Sequence, residues 1–325
     1  MTPPLMQLQP PDIRRWQAGN TGTAYVHRFD TARPGPAVLL LALTHGNELC
    51  GAIALDWLLS QLQQQHQQQA LPLQQGSLTL VFANVAAFER FDPAAPHASR
   101  CIDEDLNRVW ADAVLFGPGN STELRRAREL QPFIDGADLL LDMHSMSEPC
   151  RPLMVCGTLD KNAAYARQLG TPADLLIDTG HPAGLRLVER GGFGDPASPK
   201  RALLIECGQH WEAAAADVAI DVLVRFLQLT GLVTTAWAAA RTRLPLPPVQ
   251  RLVRVTEAVV ARSSAFKFLL PTVGLGVLPH AGTAFAQDGE HIWTTPYDNT
   301  VLVMPSAAHA KPGNTVVRLG RFEPG

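Results

Sequence analysis

Ala37-Val38-Leu39-Leu40-Leu41-Ala42-Leu43-Thr44-His45-Gly46-Asn47-Glu48 joins an aliphatic run to a polar tetrad, and helix-forming sequence follows at once. The run is well short of the roughly 20 apolar residues of a membrane helix. It reads instead as a strand buried on both faces. His45 and Glu48 then stand just past the strand's end, where the chain turns into the next helix, and open α/β sheets bind their ligands at that edge. A histidine and a carboxylate three residues apart can reach one ion, and nitrogen with oxygen ligands suits Zn2+. A third ligand has to come from elsewhere in the chain.

Upstream, strand-like residues around 23–28 lead to the Pro34-Gly35-Pro36 break. Downstream, Leu49, Ile53 and Trp57 form one series at helical spacing, and Leu55, Leu58, Leu59 and Leu62 form another. They lie on different sides, which predicts a helix buried over most of its circumference. The Gln-rich run 61–69 extends it into a solvated loop in which His66 is exposed. Further strands are predicted at 77–84, 137–143, 154–156, 185–189 and 202–208. Helices are predicted at 120–134, 161–169 and 212–229, the last two stopped by Gly170 and Gly231. This alternation predicts an α/β fold, a mostly parallel mixed sheet with helices on both faces. Leu244-Pro245-Leu246-Pro247-Pro248 reads as a linker. Beyond it, 249–260, 266–270, 300–304 and 315–319 are short β-type runs. The expected division is a catalytic domain at 1–243 and a small all-β C-terminal domain at 249–325.

The 325 residues are 46% hydrophobic and 18% charged, ordinary for a globular chain. A net charge of −3 provides no basic patch for nucleic acid and no polybasic signal for a membrane. Five cysteines without a pairing motif, behind an N-terminus lacking the order of an export signal, point to reduced thiols in the cytoplasm. Scattered apolar residues leave a homo-oligomer open.

Predicted strands end in His45/Glu48, in His144 and in Glu206, and a polar loop with Arg100, Asp105, Asn107 and Arg108 follows another. Strand ends in such a sheet converge on one crevice. His45, Glu48 and His144 make two imidazoles and a carboxylate, a ligand set that keeps a coordination position open for water; nickel or iron suits the same donors. Glu206, left without a ligand role, is suited to take a proton from the attacking water and pass it to a leaving amine. One arginine can stabilise the developing oxyanion and another can grip a substrate carboxylate, with Asn107 assisting. Asp105 orients an arginine or caps a turn, and Asp142 orients a ligand imidazole or caps the turn that follows it. His210 and Trp211 either line the pocket or begin the helix after them. Each residue alone has a commonplace structural reading; their joint occurrence at several strand ends points to a site.

Thr44-His45-Gly46-Asn47-Glu48, Asp105-Leu106-Asn107-Arg108, Asp142-Met143-His144 and Ile205-Glu206-Cys207-Gly208 together resemble the succinylglutamate desuccinylase/aspartoacylase family, a branch of the zinc carboxypeptidase-like metallohydrolases. The motifs occur in the family's order, and the β-rich tail fits its two-domain plan. The resemblance implies one Zn2+ per chain on His45, Glu48 and His144, with Glu206 as general base and later acid. It implies that Arg100 polarises the scissile carbonyl, that Asn107 and Arg108 bind a substrate carboxylate, and that Tyr297 closes the site from the C-terminal domain. Arg190, Lys200 and Arg201 are the candidates for a second carboxylate-binding residue. The expected activity is deacylation of an N-acyl amino acid or similar small amide. The alternatives are a metallocarboxypeptidase acting on peptides or cell-wall fragments, and a non-catalytic binder of metal or small molecules.

Overall fold

A computed structural model describes residues 6–67, 72–308 and 310–323, with the side chains of 65–67 also outside the description. The reading of His66 therefore falls outside the described residues. In chain order the elements are β1 (Val26–Asp30), β2 (Ala37–Ala42), α1 (Leu49–Gln67), β3 (Ser77–Phe82), α2 (Val85–Phe88), α3 (Asp112–Leu115) and α4 (Thr122–Asp135). Next come β4 (Leu139–Met146), β5 (Leu153–Val155), α5 (Asp160–Leu169), β6 (Asp174–Ile177), β7 (Arg201–Gln209), α6 (Ala213–Leu229) and α7 (Thr235–Ala239). The C-terminal region holds β8 (Arg251–Val260), β9 (Lys267–Phe268), β10 (Gly276–Leu278), β11 (Ala284–Asp288), β12 (His291–Thr294), β13 (Thr300–Val303) and β14 (Thr315–Phe322).

Among the described residues, eleven strands form one sheet in the order β1-β3-β2-β4-β7-β5-β6-β8-β14-β13-β10. The centre, β3-β2-β4-β7, is parallel. Antiparallel β5 follows on the far side of β7. Period-two alternation explains why the central strands are apolar throughout. Along β2, Val38, Leu40 and Ala42 enter one core with α1, α5 and α6, while Leu39 and Leu41 enter a second core with α4. Along β7, Leu203, Ile205 and Cys207 likewise face the first core, and Ala202 and Leu204 the second. Helices thus cover both faces, as expected. α1 buries Leu49, Leu55, Leu58, Leu59 and Leu62, while Ile53 and Trp57 pack partly buried against the same core. Its remaining side is covered by the N-terminal segment, where the Trp16 indole and Arg15 both donate to Asp56.

Beyond the Pro-rich stretch the sheet does not stop: β8 pairs in parallel with β6, Leu175 opposite Leu252, and β14, β13 and β10 continue antiparallel. β9, β11 and β12 make a separate three-stranded sheet over a third core around Phe266 and Phe285.

One predicted strand is corrected. Residues 185–189 hold a 3-10 turn, Leu187–Glu189, because Arg186 folds back onto Asp178 and Glu189 instead of alternating along a ladder. The strand of that region is β6, which lies earlier in the chain.

Candidate active site

The turn after β2 is built for close approach. Leu43, wholly buried, takes φ +60°, a left-handed conformation uncommon for a bulky residue. A Cβ on Gly46 would collide with the Phe88 amide and the Ser99 carbonyl. Only glycine lets this turn lie against the 96–99 segment, and the Gly46 amide then donates to the Arg100 carbonyl at 3.1 Å. That contact pins the arginine-bearing loop beside His45.

β4 and β7 run side by side in parallel with His144 opposite Glu206, so two predicted site residues from distant stretches become neighbours. The structure brings His45, Glu48 and His144 together: one ligand atom from each falls within 4.8 Å of the others, and all three are buried. Glu48 sits between the rings, with Oε1 2.7 Å from His45 Nδ1 and Oε2 2.8 Å from His144 Nδ1. The outer nitrogens face further carboxylates. His45 Nε2 is 2.9 Å from Asp105 Oδ1, and His144 Nε2 approaches Asp142 Oδ2 to 2.8 Å, off the line a hydrogen bond needs. Asp142 Oδ1 accepts from the Thr44 hydroxyl. Two imidazoles converging on a carboxylate, each backed by another carboxylate, form the donor set and outer sphere that divalent-cation sites use. The residues fit a metal.

Asp105 fills both roles expected for it. Its Oδ1 accepts from the Asn107 amide and caps the 3-10 turn Leu106–Arg108, while its Oδ2 accepts from Arg100 Nη2 at 2.9 Å. Arg100 Nη2 also lies 2.8 Å from His45 Nε2, and Nη1 is 3.6 Å from Glu48 Oε1. With its side chain 41% exposed, Arg100 reaches from the cluster into the cavity. Asn107 Oδ1 accepts from the Leu187 amide. Arg108 donates to the Asn107 carbonyl and stands 3.7 Å from Asp105 Oδ2.

Electrostatics separate the carboxylates. Burial alone would raise Glu48, but His45 and His144 outweigh it and hold the carboxyl well below its usual value. Asp105 is likewise pulled down against its burial by His45 and Arg100. Burial lowers the His144 imidazole, yet Asp142 and Glu48 more than offset that and raise it well above its ordinary value. Glu206 goes the other way: burial lifts its carboxyl well above the usual range, His144 pulls it down, and Glu48 pushes it further up. Its Oε2 is buried and accepts from no described residue.

His45, Glu48, Arg100, Asn107, Arg108, His144 and Glu206 line one cavity of about 530 Å3, together with Asn47, His181, Arg186 and His210, and with Met304, Ser306, Thr315 and Arg318 from the C-terminal strands and loops. The cavity's size is that of a small-molecule site. His210 does line the pocket, its Nδ1 2.8 Å from Ser145 Oγ, while Trp211 is buried behind it and donates to the Asn47 carbonyl. Tyr297 is not brought to the cavity; its hydroxyl pairs with Thr256 at 2.6 Å and Arg321 lies over its ring. Arg190 is committed to Asp135 and the Trp110 carbonyl, Lys200 to the Asp135 carbonyl, and Arg201 to carbonyls of its own loop. None of the three lines the cavity.

Residues 34–221 match the family model described as the succinylglutamate desuccinylase/aspartoacylase catalytic domain. The chain belongs to the succinylglutamate desuccinylase/aspartoacylase family. A probable aspartoacylase of Parasynechococcus marenigrum is 34% identical over 146 residues, a match spanning 43% of this chain and 40% of that protein's length. Among solved structures, a succinylglutamate desuccinylase from Chromobacterium violaceum superposes with a TM-score of 0.65 at 20% identity, covering 93% of this chain and 90% of the other. The product-bound ectoine utilization protein of Ruegeria pomeroyi gives 0.61 at 15%, covering 93% and 92%. At such identities these two likenesses concern the family's fold alone, including its continuation into the C-terminal strands. Among the described residues no helix is long and apolar enough to cross a membrane.

Arg318, Thr315 and Arg186, which also line the cavity, escaped the sequence reading. Arg318 had a visible signal, a lone cation within Val316-Val317-Arg318-Leu319. A charge inside an apolar strand is buried only when paired or when a ligand answers it.

Proposed function

We propose that this protein is a zinc-dependent amidohydrolase that removes the acyl group from an N-acyl amino acid or a similar small carboxylated amide. The observation that carries the reading is Glu206, a carboxyl of raised proton affinity with an unpartnered oxygen, next to the assembled His45–Glu48–His144 cluster. When bound by those three residues, one divalent cation per chain supplies Lewis acidity to the scissile carbonyl and acidifies a water. Glu206 takes a proton from the attacking water and returns it to the departing amine. Arg100, already held by Asp105, presents its guanidinium to the oxygen on which negative charge develops. Arg108 and the Asn107 side-chain amide hold the substrate carboxylate. The cavity is partly walled by Gly274, Met304 and Ser306 of the C-terminal region, which favours small amides over peptides. Five free cysteines agree with a reducing cytoplasm as the place of action.

The test is metal analysis of purified protein coupled to a hydrolysis screen over N-acetyl and N-succinyl amino acids and C-terminal peptides. Glu206→Gln is expected to retain the metal and to lose about 10²–10⁴-fold in turnover. Near-parental turnover in that variant would remove the base from the mechanism.

A further inference from the structure

The loop that carries Arg100 and the Asp105–Arg108 motif is gripped from outside the cavity by one buried carboxylate. Glu123, in the first turn of α4, is 0% exposed and does not line the cavity. Its Oε1 accepts from the Ile102 amide at 2.6 Å and from Asn84 Nδ2 at 3.0 Å. Its Oε2 accepts from the Asp103 and Glu104 amides at 3.0 and 3.2 Å. Three consecutive backbone amides thus wrap one anion, the concave arrangement with which loops hold bound anions. Burial alone would raise this carboxyl, but the amides and Asn84 outweigh it and keep it below its usual value. The clasp is reciprocal: Asp103 Oδ2 accepts from the Thr122 amide at 2.7 Å, and the Ser121 hydroxyl donates to Glu104.

The holder is itself fixed. Leu124, Ala127, Leu130 and Ile134 seat α4 in the second core, and Asn84 stands just past the end of β3. The gripped residues 102–104 lie between Arg100 and Asp105, and Asp105 holds the Arg100 guanidinium. A side chain 41% exposed has little packing to place it, so Arg100 depends on Asp105 and on the backbone beneath. Asn107 and Arg108 have a further support, because the Leu187 amide donates to Asn107 Oδ1 and Val109 bridges to Leu185. The metal-ligand candidates rest on other elements, His45 and Glu48 after β2 and His144 on β4. Releasing the Glu123 clasp therefore reaches Arg100 before it reaches Arg108 or the cluster.

We infer that Glu123 is a positioning residue: through the 102–104 amides it sets where Arg100 presents its guanidinium, without touching substrate or metal. The inference rests on the amidohydrolase reading for its kinetic arm, while hydrogen exchange tests it with no substrate at all. In Glu123→Gln an amide nitrogen replaces one acceptor oxygen and faces N–H groups from which it cannot accept. The full-length variant, purified with its metal, should keep the parental metal content and lose about 10–100-fold in kcat, the cost of a small misplacement. KM should stay within about threefold, since Arg108 keeps its own support. In an Arg100→Ala background the same change should cost less than about threefold in kcat, because both act through one group. The 102–104 amides should exchange faster while β2 and β4 keep their protection. Glu123→Asp, still anionic but one methylene shorter, is the milder variant and should fall between parent and Glu123→Gln in kcat and in exchange. Asp221, equally buried on α6 and bonded to Arg225 and to the Arg243 and Leu244 amides, is the control. Asp221→Asn should lower the melting temperature and leave kcat within about twofold. Parental kcat in both Glu123 variants, an undiminished loss in the Arg100→Ala background, a comparable kcat loss in Asp221→Asn, or exchange that rises across the whole sheet would overturn the assignment. A parent protein that hydrolyses no N-acyl amino acid, with exchange still released only at 102–104, would sink the hydrolase reading and leave the clasp standing.

Discussion

The two ends of the cavity are built on opposite electrostatic plans. Around His45, Glu48 and His144 every charge has a neighbour of the other sign: two imidazoles enclose Glu48, Asp142 and Asp105 back the rings, and Arg100 bridges Asp105 to His45. Around Arg108 and Arg318 the charges are met less closely: Asp105 Oδ2 stands 3.7 Å from Arg108, and the buried Arg318 Nε has no hydrogen-bond partner among the described residues. The first end is self-compensated.

The largest expected effect comes from breaking the compensated end. Loss of an outer-sphere partner already costs about 10–100-fold in metal affinity, so His144→Ala should exceed that and come off a desalting column without stoichiometric metal. It also leaves buried Glu48 and Asp142 short of a partner, and melting should show a destabilisation of about 3–5 kcal/mol. Full metal retention in this variant would show that His144 is not one of the metal's ligands.

A smaller effect tests the wall between the ends. His210 is buried, and its pKa is lowered to about 3 by burial. The unfolded chain then binds a proton near pH 6.5 that the folded chain refuses. The associated stability is present above about pH 6.5 and is lost as pH falls towards 3, on the order of a few kcal/mol in full. His210→Gln should therefore flatten the acid limb of a melting-temperature profile between those values. An unchanged limb would show that His210 is wet and protonated in the fold.

The smallest effect is expected at Tyr297. Its hydroxyl is bonded to Thr256 away from the cavity, so Tyr297→Phe should alter kcat/KM by less than about twofold, as a surface substitution does. A tenfold loss would mean that the C-terminal strands rearrange to bring the ring over the substrate.

What the sequence disclosed divides along similar lines. β2, β4 and β7 were legible because strands buried on both faces are continuous aliphatic runs, and polar residues at their ends stand out against them. The cluster was legible for that reason, as was the nearness of His144 and Glu206, which follows from adjacent parallel strands. β9 and β10, of two and three residues, are too short to show a period. Residues 185–189 look strand-like because their alternation is real, but Arg186 turns it to the capture of Asp178 and Glu189. Arg318 went unrecognised because its direction depends on the irregularity near Thr315, which no regular pattern foretells.

The unbroken sheet has a mechanical consequence. Glu206 on β7 and Arg318 on β14 belong to one ladder of hydrogen bonds through β5, β6 and β8. The spacing between these two cavity-lining residues is thus ruled by strand separation, not by a swinging joint.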